Sequence, residues 1–282
     1  IILSEDRTAP AITRKLGDIR PWAWTPDSLS FFEKTLSSVT RPIEANTLWN
    51  ESRRQLFSKA WSADCGRALA HTHADPEWLA PQTIYGQAVE NLEQLKALRQ
   101  KLQSEGYPNI VCKAPFSTAA NGIRCWLEKE TLTPTLLKWI ESIFESQGSL
   151  IVEPWLERVF DFSVQLEYKE NRLSTVGFTR LLNNPRGQFK GIITNGFIRG
   201  LSPEVTRFIM QRIEGKPRLY QWYEETLAPW LAERLAQTTF SGPLGIDAFI
   251  YRNRAGKLRL KTIVELNPRF TMGRVGYELG LR

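Results

Sequence analysis

Apolar residues recur along the chain at two spacings, one helical and one extended. Leu29, Phe31, Phe32, Leu36 and Val39 fall on or near one face of a helix predicted over 28–39, opened by Thr25-Pro26-Asp27. A second helix is expected over 49–69 and a third over 88–103, the latter stopped by Gly106. Between them, Pro76 and Pro81 punctuate a connection. The period then shifts to two, giving strands at 109–114 and 123–127 joined by 115–122. A helix over 134–145 ends at Gly148, and 150–152 is a short strand. Residues 160–168 and 173–182 make a hairpin about Glu170-Asn171, followed by a strand at 188–198. Helices at 203–212 and 218–238 come next, the second interrupted by Pro229. The last unit is a hairpin of 244–251 and 258–267. In its second strand Leu258, Leu260, Val264 and Leu266 face one way, and Arg259, Lys261, Glu265 and Asn267 the other.

Helices, then a small sheet, then a larger antiparallel sheet imply an α+β protein with two lobes divided near residue 150. Composition narrows this picture. The 282 residues suffice for about two domains, and 42% hydrophobic with 24% charged residues excludes disorder. Cys65, Cys112 and Cys125 are too scattered for a disulfide framework, and His71 and His73 alone exclude a histidine-rich metal site. Cys112 and Cys125 read as core residues, as do Trp22, Trp24, Trp49, Trp61 and Trp139. No run approaches the ~20 apolar residues of a membrane span, and no secretory signal opens the chain, so a cytoplasmic protein is expected. A formal charge of +7 favours anionic partners; its dispersal argues against nucleic acid. The chain begins at Ile1 and stops at Arg282 inside a helix predicted to start at Val275, so a longer protein is expected at both ends.

Four segments carry candidate chemistry. Lys113 sits in the apolar strand Ile110-Val111-Cys112-Lys113-Ala114, where an unpaired ammonium is costly. A phosphate is one explanation, with Ser117, Thr118, Asn121 and Gly122 in a small polar loop able to close over it; an edge strand with a snorkelling lysine is the other. Glu153-Pro154-Trp155-Leu156 ends a strand in an extended hinge whose backbone can read the edge of a base, and Asp161 can accept from ribose hydroxyls. A turn with a buried tryptophan reads the same segment differently. Glu265 and Asn267 project from one face of the last strand. The hairpin brings Asp247 opposite about residue 262, within reach of them. Two carboxylates and an amide are hard ligands suited to Mg²⁺ shared with phosphates, though a solvent-facing cluster has the same composition. Arg269 follows directly and can clamp a phosphate or carboxylate; a plain surface arginine is the alternative.

In this order the four segments resemble the ATP-grasp superfamily over roughly residues 50–282, most specifically in Glu265-Leu266-Asn267-Pro268-Arg269. The resemblance implies a two-lobed fold gripping ATP. Residues 1–48 would be the remnant of a preceding domain, 49–149 the first lobe and 150–282 the second. It makes Lys59 and Lys113 phosphate-contacting lysines, and Ser117–Gly122 the loop over the phosphates. Glu153, Trp155 and Leu156 become the adenine hinge, Asp161 the ribose acid, and Asp247, Glu265 and Asn267 the Mg²⁺ ligands. The phosphate loop is poorer in glycine than the family's. The implied reaction joins a small carboxylate to an amine or other nucleophile through an acyl phosphate, with Arg269 holding the moving charge. Arg180, Arg186, Lys190 and Arg199, on or beside strands expected to floor the site, and Arg274 are candidates to hold an anionic substrate. A small-molecule kinase of the same fold, or a nucleotide- or nucleic-acid-binding module without catalysis, are the alternatives. A homodimer is left open.

Overall fold

A computed structural model describes residues 15–36, 38–39, 44–74, 76–117, 122–184, 189–213 and 215–281. Helices α1 (Pro26–Leu36) and α2 (Ala45–Leu48) lead into α3 (Glu51–Leu56) and α4 (Lys59–Thr72). The single helix expected over 49–69 is thus two. Asn50 and Ser58 hold extended backbone, and their side chains accept from the Arg53 and Ala60 amides. Each therefore caps a new helix instead of continuing an old one.

The smaller sheet contains β1 (Gln87–Val89), β2 (Ile110–Lys113), β3 (Ile123–Trp126) and β4 (Leu150–Pro154), all antiparallel, in the order β1-β4-β2-β3. Between β1 and β2, α5 (Leu92–Ser104) buries Leu95, Leu98 and Leu102, spaced to share one face; α6 (Pro134–Gln147) adds Ile140. They pack on Val89, Ile110, Cys112, Trp126, Leu150 and Val152. Each leucine so buried contributes roughly 1.5–3 kcal/mol. The expected start of α5 at 88 moves to Leu92, because Asn91 caps it and 87–89 pair with β4 as a strand.

The larger sheet begins with β5 (Glu157–Lys169), β6 (Arg172–Asn183) and β7 (Phe189–Ile193). Glu170 and Asn171 take left-handed φ of 52° and 59°, as a tight two-residue hairpin requires. Next come α7 (Pro203–Met210), a short ribbon of β8 (Arg212–Ile213) and β9 (Lys216–Pro217), α8 (Arg218–Gln221) and α9 (Ala228–Leu235). The interruption expected at Pro229 takes the form of a wide turn over Trp222–Leu227, in which the Ala228 amide reaches back to the Tyr223 carbonyl. Then β10 (Gly242–Arg252) and β11 (Leu258–Asn267) complete the sheet order β11-β10-β5-β6-β7, and α10 (Met272–Gly280) packs across β5, β6 and β7.

The sheets change over between Pro154 and Glu157, since β4 pairs with β1 and β2. Helix α4, expected in the first lobe, shares a core with the larger sheet through Cys65, Leu69 and Ala70. It covers the free edge of β11, where the Leu266 amide donates to Ser62 Oγ at 3.0 Å. That contact sets the first residue of α4 beside the end of β11.

Candidate active site

The two sheets face each other across a cleft of about 660 Å³. Its walls hold Lys59, Lys113, Ser117, Glu153, Trp155, Leu156, Asp161, Asp247, Glu265, Asn267 and Arg269, together with Lys190. Other residues on its walls, among them Trp22, Arg158 and Ser163, were not singled out as site residues in the sequence.

Strand β2 is interior to its sheet, so Lys113 does not snorkel from an edge. It is 8% exposed and pairs diagonally with Glu153 on β4, which stands opposite Val111, two positions along from Ile151, the residue directly across from Lys113. Glu153 also accepts from Lys261 Nζ at 2.8 Å, and Lys261 is 1% exposed. Burial alone would raise the Glu153 carboxyl; Lys113 and Lys261 outweigh it and hold it down to about 2. Burial pulls Lys261 down to about 8 despite its carboxylate partner. One acid thus serves two buried ammonium groups, leaving a net positive charge at the cleft floor.

Lys261 is a residue that the sequence reading left without a role. A lysine among Leu260, Thr262 and Ile263 carries the same signal that singled out Lys113. Its ammonium also lies 5.5 Å from the Tyr85 ring centre and 5.7 Å from that of Phe249.

Lys59 opens α4 and reaches Glu265 at 2.8 Å and the Ser117 carbonyl at 2.9 Å. Ser117 Oγ is buried with no hydrogen-bond partner among the described residues, a polar atom left over at the cleft wall. Ala114 N–H donates to the Gly122 carbonyl at 2.8 Å, closing the base of the loop; Thr118 and Asn121 lie outside the described residues. In the hinge, the Trp155 amide is already given to the Asn109 carbonyl at 2.8 Å. Asp161 is engaged by Arg158, whose Nε donates at 2.8 Å.

On the far wall Asp247 stands directly opposite Glu265, three residues from the expected position. A bulge accounts for two of these three residues, since Thr262, Ile263 and Val264 together oppose Ala248 alone, and the turn, centred on residue 255, for the third. Alternation is suspended there, and Val264, expected on the far face, lines the cleft. The bulge is clamped from both sides. Tyr85 hydroxyl meets Thr262 Oγ1 at 2.9 Å, and Tyr223 hydroxyl donates to the Thr262 carbonyl at 2.8 Å. Asn267 Nδ2 lies 3.3 Å from Asp247 Oδ2, and Arg269 donates to Asn267 Oδ1 at 2.8 Å.

Burial and the facing Glu265 push the Asp247 carboxyl up to about 6, against a hydrogen bond from Ser163 and the charge of Arg269. Two carboxylates held face to face with an amide oxygen nearby are a hard donor set whose repulsion a divalent cation relieves, so these residues fit Mg²⁺. Among the described residues no group of three or more His, Cys, Asp and Glu side chains is placed to hold a metal. The trio here draws its third donor from an amide.

Some expected residues lie elsewhere. On β5 and β6 the odd positions Asp161, Ser163, Leu181 and Asn183 line the cleft, so Arg180 faces away, over the Phe160 ring, and donates to the Arg199 carbonyl at 2.8 Å. Arg199 does not line the cleft. Arg274 is bound to Glu167 at 2.9 Å and to Glu278, off the cleft. Arg186 lies outside the described residues. Trp22, expected in the core, is 45% exposed at the cleft. Cys65 and Cys112 are buried, which pushes both thiols up to about 12 and leaves them inert. Among the described residues no helix is long and apolar enough to cross a membrane.

No protein-family model matches the chain. It is 24% identical over 186 residues to the butirosin acyl-carrier protein–L-glutamate ligase of Niallia circulans, a match covering 66% of this chain and 39% of that protein. The chain therefore spans about two fifths of the length of that curated relative. Among solved structures, a biotin carboxylase β,γ-ATP complex from Campylobacter jejuni superposes with a TM-score of 0.52 at 16% identity, over 81% of this chain and 44% of that one. Pyruvate carboxylase from Rhizobium etli gives 0.51 at 17% identity, over 84% and 17%. These likenesses are of fold, and they agree with the motifs on the cleft walls: the chain has the ATP-grasp fold.

Proposed function

We propose that the chain is the ATP-binding part of an ATP-dependent, ADP-forming ligase that joins a carboxylate to an amine or another nucleophile. The observation that carries this is the meeting of Lys59, Lys113, the Glu153 hinge and Asp247, Glu265 and Asn267 around one cleft. The similarity to a protein named as a ligase of L-glutamate to a carrier protein supports the same reaction class. Val111, Ile123, Trp155 and Leu156 supply apolar walls for the adenine, and Asp161 accepts from the ribose. Lys113 and Lys59 bind the triphosphate, and Ser117 Oγ gains the partner it lacks. Asp247, Glu265 and Asn267 would hold Mg²⁺, which when bound neutralises the β- and γ-phosphate charge.

A carboxylate oxygen bonds to the γ-phosphorus as the bond to ADP breaks, and Arg269 holds the charge spread over the moving phosphoryl group. The nucleophile then bonds to the acyl carbon of the acyl phosphate and inorganic phosphate leaves. No side-chain nucleophile is needed. On this reading residues 15–24, which reach the cleft through Trp22, belong to a substrate-side domain.

The test is ADP release with a panel of amino acids and dicarboxylates, L-glutamate included, each with and without an added amine. Glu265→Gln should lower the rate by roughly two orders of magnitude. A variant that turns over normally refutes the metal assignment. A stable phosphorylated product in place of a ligated one makes the protein a kinase, and no ADP with any mixture makes it a binding module.

A further inference from the structure

A second cavity, of about 390 Å³, adjoins the cleft; Trp22 and Arg269 line both. Its wall includes Trp24, Phe57, Phe240 and Arg53. Arg53 is 6% exposed. Its Nη1 donates to the Leu48 carbonyl at 3.0 Å and its Nη2 to that of Thr239 at 2.8 Å, while the guanidinium carbon sits 5.5 Å from the Phe240 ring centre. Nε is buried and has no hydrogen-bond partner among the described residues. The charged neighbours in this cavity are already satisfied: Asp18 pairs with Arg20, Glu167 with Arg274, and Lys169 with Glu170. Among the described residues no carboxylate pairs with Arg53. Burial pulls it down to about 10 with no acid opposing the shift.

An interior guanidinium without a counter-ion is costly, and an open space beside it among aromatic rings is a place for one. We propose that this cavity is a subsite for a carboxylate carried on an apolar or aromatic body, with Arg53 as its counter-ion. Arg53, each Nη of which already donates to a carbonyl, matches a monoanion, and the carboxylates of Asp18 and Glu167 on the same walls disfavour a phosphate dianion. The role of the subsite rests on the ligase reading: this carboxylate is the non-reacting end of a substrate whose reacting end lies at Arg269. The binding itself does not depend on that reading.

The probe is 3-phenylpropionate, with neutral 3-phenylpropanamide as control, followed by thermal shift and titration calorimetry on the full chain without nucleotide. The acid should raise Tm in a concentration-dependent way and the amide should not. Ala23→Phe fills the cavity without touching the Arg53 hydrogen bonds, since Ala23 lines the same wall. It should abolish the response to the acid and keep the response to Mg²⁺-ATP. Arg53→Lys, which keeps the charge and loses the fork, should weaken the acid roughly tenfold or more. No response of the unmodified chain up to about 10 mM acid, a millimolar limit for a single small anion, overturns the subsite. So does an equal response in Ala23→Phe. Loss of the Mg²⁺-ATP response with the acid response intact fails the ligase reading alone.

Discussion

Replacing Glu153 by glutamine exchanges one atom pair beneath the cleft and strands two cations. The carboxylate is 6% exposed and is shared by Lys113 and by Lys261 at 2.8 Å, themselves 8% and 1% exposed. Its pKa falls from 4.5 to about 2. At about 1.4 kcal/mol per unit, that shift is worth about 3 kcal/mol. Breaking a buried pair by removing one partner costs about 3–5 kcal/mol by general experience, so the two estimates meet near 3–4 kcal/mol. Denaturant unfolding of Glu153→Gln at pH 7 should show a loss of that size.

The pH dependence checks the cause. The folded pKa of Glu153 lies below the unfolded one, so its contribution is full above about pH 4.5 and fades as pH falls toward 2. That acid limb should be missing in the variant. Lys261 is lowered from 10.5 to about 8, so the folded state binds fewer protons over that range and stability climbs with pH there. Without Glu153 the climb should begin below pH 8. A loss under about 1 kcal/mol, or an alkaline limb unchanged in position, would show that the two ammonium groups do not depend on Glu153.

Three further outcomes are expected. Lys113→Ala should remove most of the thermal stabilisation given by Mg²⁺-ATP, read as the Tm difference with and without nucleotide; a full response in the variant refutes the phosphate assignment. Tyr223→Phe leaves the buried Thr262 carbonyl without its 2.8 Å donor, at a cost of about 1–3 kcal/mol by chemical denaturation. The same variant should need more Mg²⁺ for half-maximal ADP release if the clamp aligns Asp247 with Glu265. Gly66→Ala would gain about 1 kcal/mol of helix propensity, but its Cβ would sit 2.2 Å from the buried Tyr85 ring. Overpacking at about 1–3 kcal/mol wins, so Tm should fall; a rise would mean the ring moves freely.

The parts of the site that could be read from residue order are those where a side chain contradicts its surroundings. Lys113 in an apolar strand and Glu265 with Asn267 at a strand end both announced themselves. Lys261 made the same contradiction, but strict alternation put it on a polar face with Arg259, and no role followed. The register of Asp247 was misjudged by three residues, two of them because the extra residues of β11 carry no compositional mark: Thr262, Ile263 and Val264 are ordinary strand formers. Asn50 and Ser58 marked the break between α3 and α4 in plain view, yet the continuing apolar period outweighed them. Arg180 and Arg199 were chosen by charge alone. Facing is decided by strand parity, which turned Arg180 outward.

The bulge in β11 adds two residues to one side of the ribbon, and evenness is what matters about that number. Inserting or deleting a single amino acid between Lys261 and Glu265 would leave the hairpin tip untouched yet rotate Glu265 and Asn267 to the opposite side of the sheet, away from Lys59. Length changes in this stretch are therefore tolerable only in twos, whatever residues are used.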